Sequence, residues 1–267
     1  MNDFTVFMDE LPLWSAPFGL ALLNMLRFKK HVTVLDIGCG EGFPIIEIAS
    51  RFGETSRCIG LDPLAGPLKR LAYKKQVYNL SRVCAVQAAA EALPFADRSV
   101  DLVVSNNGTN NVADVRTTFM ECRRVMKPEG QLVIAVNTEQ TMTEFYQVFE
   151  TVLLEEGLAE SMVKIKDQIR RKRLSRKELE SVLNACGFAV RQVIEDRFSM
   201  RFADGTTLFG HYLIRNFFLE GWKSLVPPDM QEKIFARIAA RLNRTAHEKG
   251  HVSLTIPYMV LDGTPVF

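Results

Sequence analysis

The chain has 267 residues, of which 47% are hydrophobic and 24% charged, a composition typical of a folded domain with a sizeable core and not of a disordered chain. Its formal net charge of +2 is too close to neutral to indicate a nucleic-acid-binding surface. The five cysteines are scattered and form no C-x-x-C pair, so we expect reduced thiols, no metal site and a cytoplasmic setting.

The chain opens with an interrupted apolar segment. Residues 11–28 are mostly apolar, but Pro12, Pro17 and Asn24 break the run and no basic leader precedes it. A secretory signal requires such a leader, and a membrane span requires a longer uninterrupted stretch. We therefore expect neither a signal peptide nor a membrane partner.

Short strands and helices alternate over the next hundred residues. The pattern predicts strands at 31–37, 57–61, 82–86, 100–105 and 131–136, and helices at 43–51, 66–78 and 112–126. A turn is predicted at the Lys-Pro-Glu-Gly run 127–130, because proline and glycine stop a helix. Such alternation implies βαβ units and a mainly parallel sheet.

The second half of the chain is mostly helical. Helices are predicted at 141–173, 176–186, 206–222 and 229–248, and strands at 188–194 and 252–261. Ser175 and Glu178 have the spacing of a capping box, in which each side chain satisfies a free N–H group at the helix start. No internal repeat and no linker are evident.

Three glycines directly follow the first predicted strand. Gly38, Gly40 and Gly42 give the chain a tight turn with room for close ligand approach, but their spacing is not the G-x-G-x-x-G of dinucleotide sites, nor a phosphate loop. Asp36, just before them, favours a cationic ligand over a pyrophosphate. Asp62, at the end of the second strand, is suitably placed to accept hydrogen bonds from ribose hydroxyls.

Taken with later motifs, this turn resembles class I S-adenosylmethionine-dependent methyltransferases. The motifs occur in the order and spacing of that family, closest to its ubiquinone/menaquinone-biosynthesis and small-molecule branch. They are the run 34–42, the strand end at Asp62, Ala-Glu-Ala-Leu-Pro-Phe at 90–95, Ser-Val-Asp-Leu-Val-Val-Ser at 99–105 and Arg-Val-Met-Lys-Pro-Glu-Gly at 124–130. Each alone is weak, and together they are specific.

The resemblance implies an α/β fold with a Rossmann-like, doubly wound sheet of seven strands, the last antiparallel, and a helical cap. We predict a single domain over 1–267, with its core at about 30–137, 175–197 and 251–262 and cap elements at about 1–29, 141–173 and 205–248. It further implies S-adenosylmethionine as cofactor. The predicted cofactor-binding residues are Asp36, Gly38, Cys39, Gly40, Asp62, Pro63, Ala90, Glu91 and Ser105.

One departure from the family pattern concerns adenine. Ala89 stands where many members have an aspartate that accepts a hydrogen bond from the adenine amino group. Adenine recognition would then rest on backbone groups, on Glu91 or on apolar contacts. The loss of one hydrogen bond corresponds to roughly 1–2 kcal/mol of binding free energy.

The residues that bind the methyl acceptor are less clearly defined by the sequence. A displacement at the methyl group of a sulfonium requires the two reactants to be aligned, but it has no obligatory catalytic residue. Predicted pocket residues are Trp14, Phe18, Asn106, Asn107, His211 and Tyr212, with His211 and Asn106 the candidates for catalysis. For each, ordinary core packing or turn formation is the competing interpretation. The basic stretch 164–177 could bind an acidic substrate, nucleic acid or a membrane, but such a run is more often a solvated helix face.

We therefore expect methyl transfer to a small organic molecule. The alternatives are methylation of RNA or protein, a non-catalytic S-adenosylmethionine-binding protein, and an NAD-linked enzyme, which the glycine spacing disfavours. The expected partner is a small molecule rather than nucleic acid, and the sequence leaves the oligomeric state open.

Overall fold

The computed structural model describes residues 12–267, and its centre is one seven-stranded sheet. The strands are β1 (Thr33–Ile37), β2 (Arg57–Asp62), β3 (Val83–Gln87), β4 (Val100–Asn106), β5 (Met126–Asn137), β6 (Phe188–Phe202) and β7 (Val252–Pro265). Their order is β3-β2-β1-β4-β5-β7-β6. The first five strands pair in parallel, and β7 runs antiparallel to β5. The predicted seven-stranded sheet with an antiparallel last strand is confirmed.

The strand order reverses between β1 and β4. From β1 the chain continues to β2 and β3 on one side, and it returns to place β4 and β5 on the other. At such a point the loops after neighbouring strands diverge and leave a crevice at the carboxyl ends of the strands. Both strands are almost fully buried, as a sheet covered on both faces requires. The candidate site begins at these two strand ends.

The helices fall at α1 (Pro12–Met25), α2 (Ile45–Phe52), α3 (Ala65–Val77), α4 (Val115–Val125), α5 (Thr143–Glu155), α6 (Ala159–Lys172), α7 (Arg176–Ala185), α8 (Gly205–Gly210), α9 (Leu219–Lys223) and α10 (Gln231–Lys249). In α2 the buried residues are Ile45, Ile48, Ala49 and Phe52, one apolar stripe at helical spacing. The Ser175 capping box at the start of α7 is confirmed.

The chain forms two compact units. The first contains residues up to Asn137, Ser175–Asp196 and Tyr258–Phe267, and the second contains Thr138–Leu174 and Arg197–Pro257. The predicted cap segments 141–173 and 205–248 fall in the second unit, whereas the described part of the segment 1–29 falls in the first. That the second unit covers the cofactor edge stays a prediction.

An aromatic cluster fills the second unit. The rings of Phe145 and Trp222 stack with centroids 3.9 Å apart, and the Trp222 indole N–H donates a hydrogen bond of 3.1 Å to the hydroxyl of Tyr146. Phe149 and Phe235 extend the cluster at 5.6 Å. Aromatic pairs of this kind add to the free energy of apolar burial, so this cluster is the core of the second unit.

Several predicted boundaries are wrong. The helix predicted at 141–173 is two helices, α5 and α6, because the chain turns at Gly157 with a φ of +71°. The helix predicted at 206–222 is divided into the short helices α8 and α9, with a π-helical segment at Ile214–Phe218 between them. Strands β6 and β7 are longer than predicted, and β5 starts earlier, at Met126.

The turn predicted at 127–130 lies within β5, at a point where the chain leaves its pairing with β4. The partner of β4 changes from Met126, opposite Val100, to Gln131, opposite Leu102. The four residues between them therefore bulge out of the ladder.

Two findings concern cysteines and membranes. Each of the five cysteines is a free thiol. Within residues 12–267, no helix combines the length and the apolar character that a bilayer crossing demands.

Candidate functional site

The turn between β1 and α2 has the backbone conformation that its glycines predict. Gly38, Gly40 and Gly42 have φ angles of +70°, +51° and +109°, in the region that disfavours side chains. The N–H groups of Gly38 and Cys39 both donate to the carbonyl of Leu61, at 2.8 and 3.0 Å, which ties the turn to β2. The turn is therefore held in place by its neighbouring strand.

The glycines at 38 and 40 face different surroundings. A Cβ at Gly38 would lie 2.8 Å from the Cα of Gly108, in the loop after β4. The lack of a side chain at Gly38 therefore lets the backbone of the glycine turn pack directly against the backbone of that loop. A Cβ at Gly40 would have no atom within 4 Å. Gly40 thus borders open space, where a ligand can approach the backbone closely.

The carboxylate of Asp36, in β1, is completely buried. Among residues 12–267, neither of its oxygens has a hydrogen-bond partner. Burial raises the pKa of Asp36 well above the ordinary value, and the negative charge of Asp62 raises it further. The nearby Ile45 N–H, which does not reach hydrogen-bond geometry, opposes both effects. A buried carboxylate without a partner destabilises the fold, and a cationic ligand would supply the missing partner.

Asp62, at the end of β2, is oriented by backbone groups. Its Oδ2 accepts a hydrogen bond of 3.1 Å from the Gly40 N–H, and its Oδ1 accepts one of 2.9 Å from the Leu64 N–H. Each carboxylate oxygen has a second acceptor position, so hydroxyl groups of a ligand can still bind. The Gly40 contact places this acceptor beside the glycine turn.

Cys39 packs inside the turn. Its Sγ lies 2.8 Å from the position that a Cβ on Gly60 would occupy, so β2 needs a glycine there. Burial raises the pKa of the Cys39 thiol strongly, and Asp36 and Asp62 add to the shift. This thiol stays neutral and fills space.

Glu91, four residues after the end of β3, is fixed by the segment before α4. Its Oε1 accepts hydrogen bonds from the N–H groups of Ala113, at 2.7 Å, and Asp114, at 3.2 Å. Ala90 is buried, whereas Ala89 and Pro63 are exposed. The predicted adenine side of the site therefore has a carboxylate whose orientation is set by backbone donors.

The loop after β4 packs directly on the end of β1. The Ser105 hydroxyl donates to the Ile37 carbonyl at 2.8 Å and accepts from the Thr109 N–H at 3.2 Å. A Cβ on Gly108 would lie 2.3 Å from the same carbonyl. Since the single hydroxyl proton of Ser105 is used inside the protein, any contact with a ligand is left to its oxygen. The predicted position of Ser105 beside the sulfonium stays a prediction.

The asparagines after β4 form a network that holds the loop. Asn107 has a φ of +63°, and its Oδ1 accepts from the Asn110 side chain at 2.8 Å and from the Asn137 N–H at 3.2 Å. Asn110 also donates to Oδ1 of Asn137 at 2.7 Å. Sequence reasoning missed Asn137, although its place at the end of β5 was a signal that could have found it. These contacts give Asn107 a structural role.

Asn106 and the two N-terminal aromatics lie in the first unit. Asn106 donates to the Ser15 carbonyl in α1 at 3.1 Å, and its buried Oδ1 has no partner within the described chain. Phe18 is fully buried, with ring contacts to Trp14 at 5.6 Å and Tyr258 at 5.2 Å. Helix α1 is thereby anchored to the end of β4 and to the middle of β7.

His211 and Tyr212 belong to the second unit. The His211 ring contacts Phe202 edge-on at 5.3 Å, and its buried Nδ1 has no partner in the part of the chain that the structure describes. Burial lowers the pKa of His211, which favours the neutral, proton-accepting form. Tyr212 is 51% exposed. The pocket role predicted for both stays a prediction.

The residues that the structure brings together are those at the carboxyl ends of the first four strands. Asp36 and the glycine turn follow β1, Asp62 ends β2, Glu91 follows β3 and Ser105 lies in β4. All belong to the first unit. The arrangement offers an unpartnered carboxylate, an oriented acceptor for hydroxyls and open space over Gly40, which suits a nucleoside ligand with a positive charge.

Comparison with known proteins agrees with this geometry. Residues 35–134 match a family model described as a methyltransferase domain. The demethylmenaquinone methyltransferase of Bacillus licheniformis is 33% identical over 127 residues, which cover 48% of this chain and 54% of that protein. The chain thus spans about half the length of the curated relatives it matches.

Solved structures show the same fold over most of the chain. The YcgJ protein of Bacillus subtilis has a TM-score of 0.60 at 18% identity, covering 94% of this chain and 98% of that one. Geranyl diphosphate C-methyltransferase of Streptomyces coelicolor, solved with S-adenosyl-L-homocysteine, has a TM-score of 0.58 at 17% identity, covering 100% and 86%. The predicted resemblance is confirmed for this domain and its fold.

Proposed function

We propose that this chain, whose residues 35–134 match the model of a methyltransferase domain, transfers a methyl group from S-adenosylmethionine to a small organic molecule. The observation that carries the proposal is the buried, unpartnered carboxylate of Asp36 next to a glycine turn with open space at Gly40. A dinucleotide would bring pyrophosphate, which this acidic site repels, whereas a sulfonium and an ammonium group are attracted.

The residues present fit this cofactor. Asp36 would bind its positive charge, and that contact would satisfy a carboxylate that the fold leaves without a hydrogen bond. Asp62, held by two backbone N–H groups, would accept hydrogen bonds from the ribose hydroxyls. Gly38, Cys39, Pro63, Ala90, Glu91 and Ser105 are proposed to complete the site.

When bound, S-adenosylmethionine supplies a methyl group on a positively charged sulfur. The chain's part is to bind and orient the partners and to exclude water, since alignment is the main requirement of a displacement at carbon. Trp14, Phe18, Asn106, Asn107, His211 and Tyr212 stay candidates for the acceptor pocket. Neutral His211 is suited to accept a proton if the acceptor must lose one.

A small-molecule acceptor and a cytoplasmic setting are part of the proposal. The matched relative acts on demethylmenaquinone and the Streptomyces neighbour on geranyl diphosphate, by their names. The free thiols are consistent with a reducing compartment. The near-neutral charge supports a small molecule over nucleic acid.

Isothermal titration of the purified protein with S-adenosylmethionine, S-adenosylhomocysteine and NAD tests the proposal. We expect both sulfur compounds to bind and NAD not to bind. The Asp36→Asn variant should bind S-adenosylmethionine about tenfold to a hundredfold more weakly, because a charge-assisted contact contributes about 1.5–3 kcal/mol.

Turnover is measured separately, as S-adenosylhomocysteine released in the presence of small-molecule candidates. Uptake of NAD with no affinity for either sulfur compound would refute the cofactor assignment. Tight cofactor binding without turnover on any candidate would instead favour a non-catalytic binding protein.

A further inference from the structure

Helix α3 has apolar side chains on its outer face as well as on its inner face. Leu68 and Leu71 are buried where the helix packs on β2 and β3. Tyr73 and Val77 lie on the opposite face and are exposed, because successive residues of an α-helix are turned by about 100°. The outer face of a surface helix is ordinarily polar, so α3 departs from the usual pattern.

The apolar surface continues at both ends of α3. Leu64 precedes the helix and Tyr78 follows it, and these two side chains, like Tyr73 and Val77, are between 56% and 62% exposed. Of the fifteen large apolar residues that are exposed in the described part of the chain, four therefore lie within 64–78. A cluster of this kind marks a surface for binding, whereas single exposed apolar residues are ordinary.

The same segment carries only positive charge. From Pro63 to Ala90 the sequence has five basic residues and no acidic one, although the whole chain has a formal net charge of only +2. Lys69 is exposed beside the apolar face, and the guanidinium of Arg70 stacks over the ring of Tyr73 at 5.3 Å. The other three basic residues are Lys74, Lys75 and Arg82. Positive charge therefore borders the apolar surface directly.

Two carboxylates flank this segment, and both have hydrogen-bond donors of their own. Asp62, which precedes the segment, accepts from the N–H groups of Gly40 and Leu64. Glu54 accepts from the Ser81 hydroxyl at 2.9 Å. The segment stays net positive even when these two neighbours are included.

The chemistry of the surface distinguishes between possible partners. A second copy of this chain would bring the same five positive charges against themselves. Single-stranded nucleic acid would stack bases on the tyrosines, but Arg70 already covers one face of the Tyr73 ring, and aliphatic Leu64 and Val77 offer no ring for stacking.

A bilayer that contains anionic lipids suits both features of the surface. Phosphate headgroups attract basic side chains, and aliphatic side chains enter the boundary between the headgroups and the acyl chains. Tyrosine is enriched at this boundary, because its ring is apolar and its hydroxyl is polar.

We propose that the outer surface of α3 docks on membranes that contain anionic phospholipids. The docking surface consists of Leu64, Lys69, Tyr73, Val77 and Tyr78. The expectation of no membrane partner was drawn from the N-terminal segment, and peripheral binding requires neither a signal peptide nor a spanning helix. Docking at α3 goes beyond the proposed function and requires neither cofactor nor turnover.

Flotation of the full chain with lipid vesicles, in the absence of cofactor, tests this docking. Vesicles of phosphatidylcholine alone are compared with vesicles of phosphatidylcholine and phosphatidylglycerol in equal parts. We expect the wild type to float with the anionic vesicles and to stay unbound with the neutral ones. Added sodium chloride should release it, because salt screens exposed charges.

Two substitutions address the charged and the apolar part of the surface separately. Lys69→Glu reverses one charge and should weaken binding to the anionic vesicles about tenfold or more. Val77→Gln removes one inserted apolar side chain and should weaken binding about fivefold. Lys166→Glu and Val163→Gln, at exposed positions of α6, are the matched controls and should bind as the wild type does.

Thermal unfolding and titration with S-adenosylhomocysteine show whether each variant is folded. All four substitutions are at exposed positions, so the unfolding midpoint and the affinity for S-adenosylhomocysteine should match those of the wild type. Failure of the wild type to bind S-adenosylhomocysteine would count against the proposed function and leave the vesicle result standing.

Three results would overturn the docking surface: the wild type stays unbound with anionic vesicles, it binds neutral vesicles equally well, or both α3 variants float as the wild type does. A single-stranded oligothymidylate is titrated in the same buffer, with fluorescence anisotropy as the readout. Oligonucleotide binding that Lys69→Glu abolishes, without vesicle binding, would assign the surface to nucleic acid instead.

Discussion

At the scale of single residues, one buried carboxyl group opposes the stability of the fold. Both side-chain oxygens of Asp36 are buried and have no hydrogen-bond partner in the described chain. A protein selected only for stability would replace this residue, because a buried charge without a partner is among the most costly groups in a core. Its presence is best explained by a ligand that completes it, and such trade-offs between stability and function are common at binding sites.

Asp36 should make the stability of the ligand-free protein depend on pH. Burial and Asp62 raise the pKa of Asp36 in the folded state above its ordinary value of 3.8. Below that value both states hold the proton and no penalty applies. As the pH rises toward the folded-state pKa, the unfolded chain binds fewer protons than the folded protein, so stability is lost.

Asparagine has the same shape and does not titrate. The free energy of unfolding of Asp36→Asn should therefore exceed that of the wild type by an amount that grows as the pH rises above about 4. Urea unfolding of both proteins at several pH values measures this difference, and groups common to both cancel. A difference independent of pH would show that Asp36 is not strained by burial.

At the scale of elements, the glycine turn joins stability and binding in one short segment. Gly38 lets the turn approach the loop at Gly108, and Gly40 borders open space. The same residue type therefore serves two purposes, one in folding and one in ligand access. The distinction rests on what surrounds each glycine and not on its φ, which is positive at both positions.

Alanine substitutions at Gly38 and at Gly40 should distinguish the role in folding from the role in ligand access. Gly40→Ala should cost about 1–2 kcal/mol for the left-handed backbone alone, and weaken S-adenosylhomocysteine binding about tenfold or more because its methyl group enters the ligand space. Gly38→Ala should cost a further 1–3 kcal/mol or so, since its methyl group meets backbone. Chemical unfolding and titration measure both effects. Equal destabilisation by the two substitutions would contradict this assignment.

The predicted boundaries of helices and strands were wrong where a contact with a distant strand, or a single glycine, sets the end of the element. The helix predicted at 141–173 breaks at Gly157, and β5 begins at Met126 because that residue pairs with Val100. The capping box of Ser175 was readable because both partners lie within one turn. Boundaries fixed by local chemistry were therefore predictable, whereas those fixed by a partner strand were not.

At the scale of the whole molecule, the chain passes between the two units four times, so neither unit is one continuous segment. Strands β6 and β7 each contribute residues to both units. Because of these repeated crossings, we expect the chain to unfold in one transition. A ligand bound in the first unit would then stabilise the second to the same extent.

The two tryptophans allow this to be measured, because Trp14 lies in the first unit and Trp222 in the second. S-adenosylhomocysteine at a hundred times its Kd should stabilise the protein by about 2.7 kcal/mol. Fluorescence of Trp14→Phe and of Trp222→Phe should report the same shift. A shift seen by Trp14 alone would show that the units unfold separately.

The sequence by itself determined the fold class, the strand count and the place of the glycine turn. These features depend on the alternation of apolar residues and on spacing within a few residues, which are legible without the fold. Asp36, Gly38, Gly40 and Asp62 were predicted for the same reason, since each stands at the end of a recognisable strand. The cofactor contacts predicted for them await the titrations above.

Only the tertiary structure decided which side chains are buried and how they pair. Arg173 looks like its exposed neighbours in the sequence but is only 7% exposed, and the network of Asn107, Asn110 and Asn137 joins residues up to 30 positions apart. Burial and hydrogen-bond pairing depend on segments distant along the chain, so no local pattern specifies them. The division into two units could likewise not be predicted from the sequence, because each unit is assembled from segments that are separated along the chain.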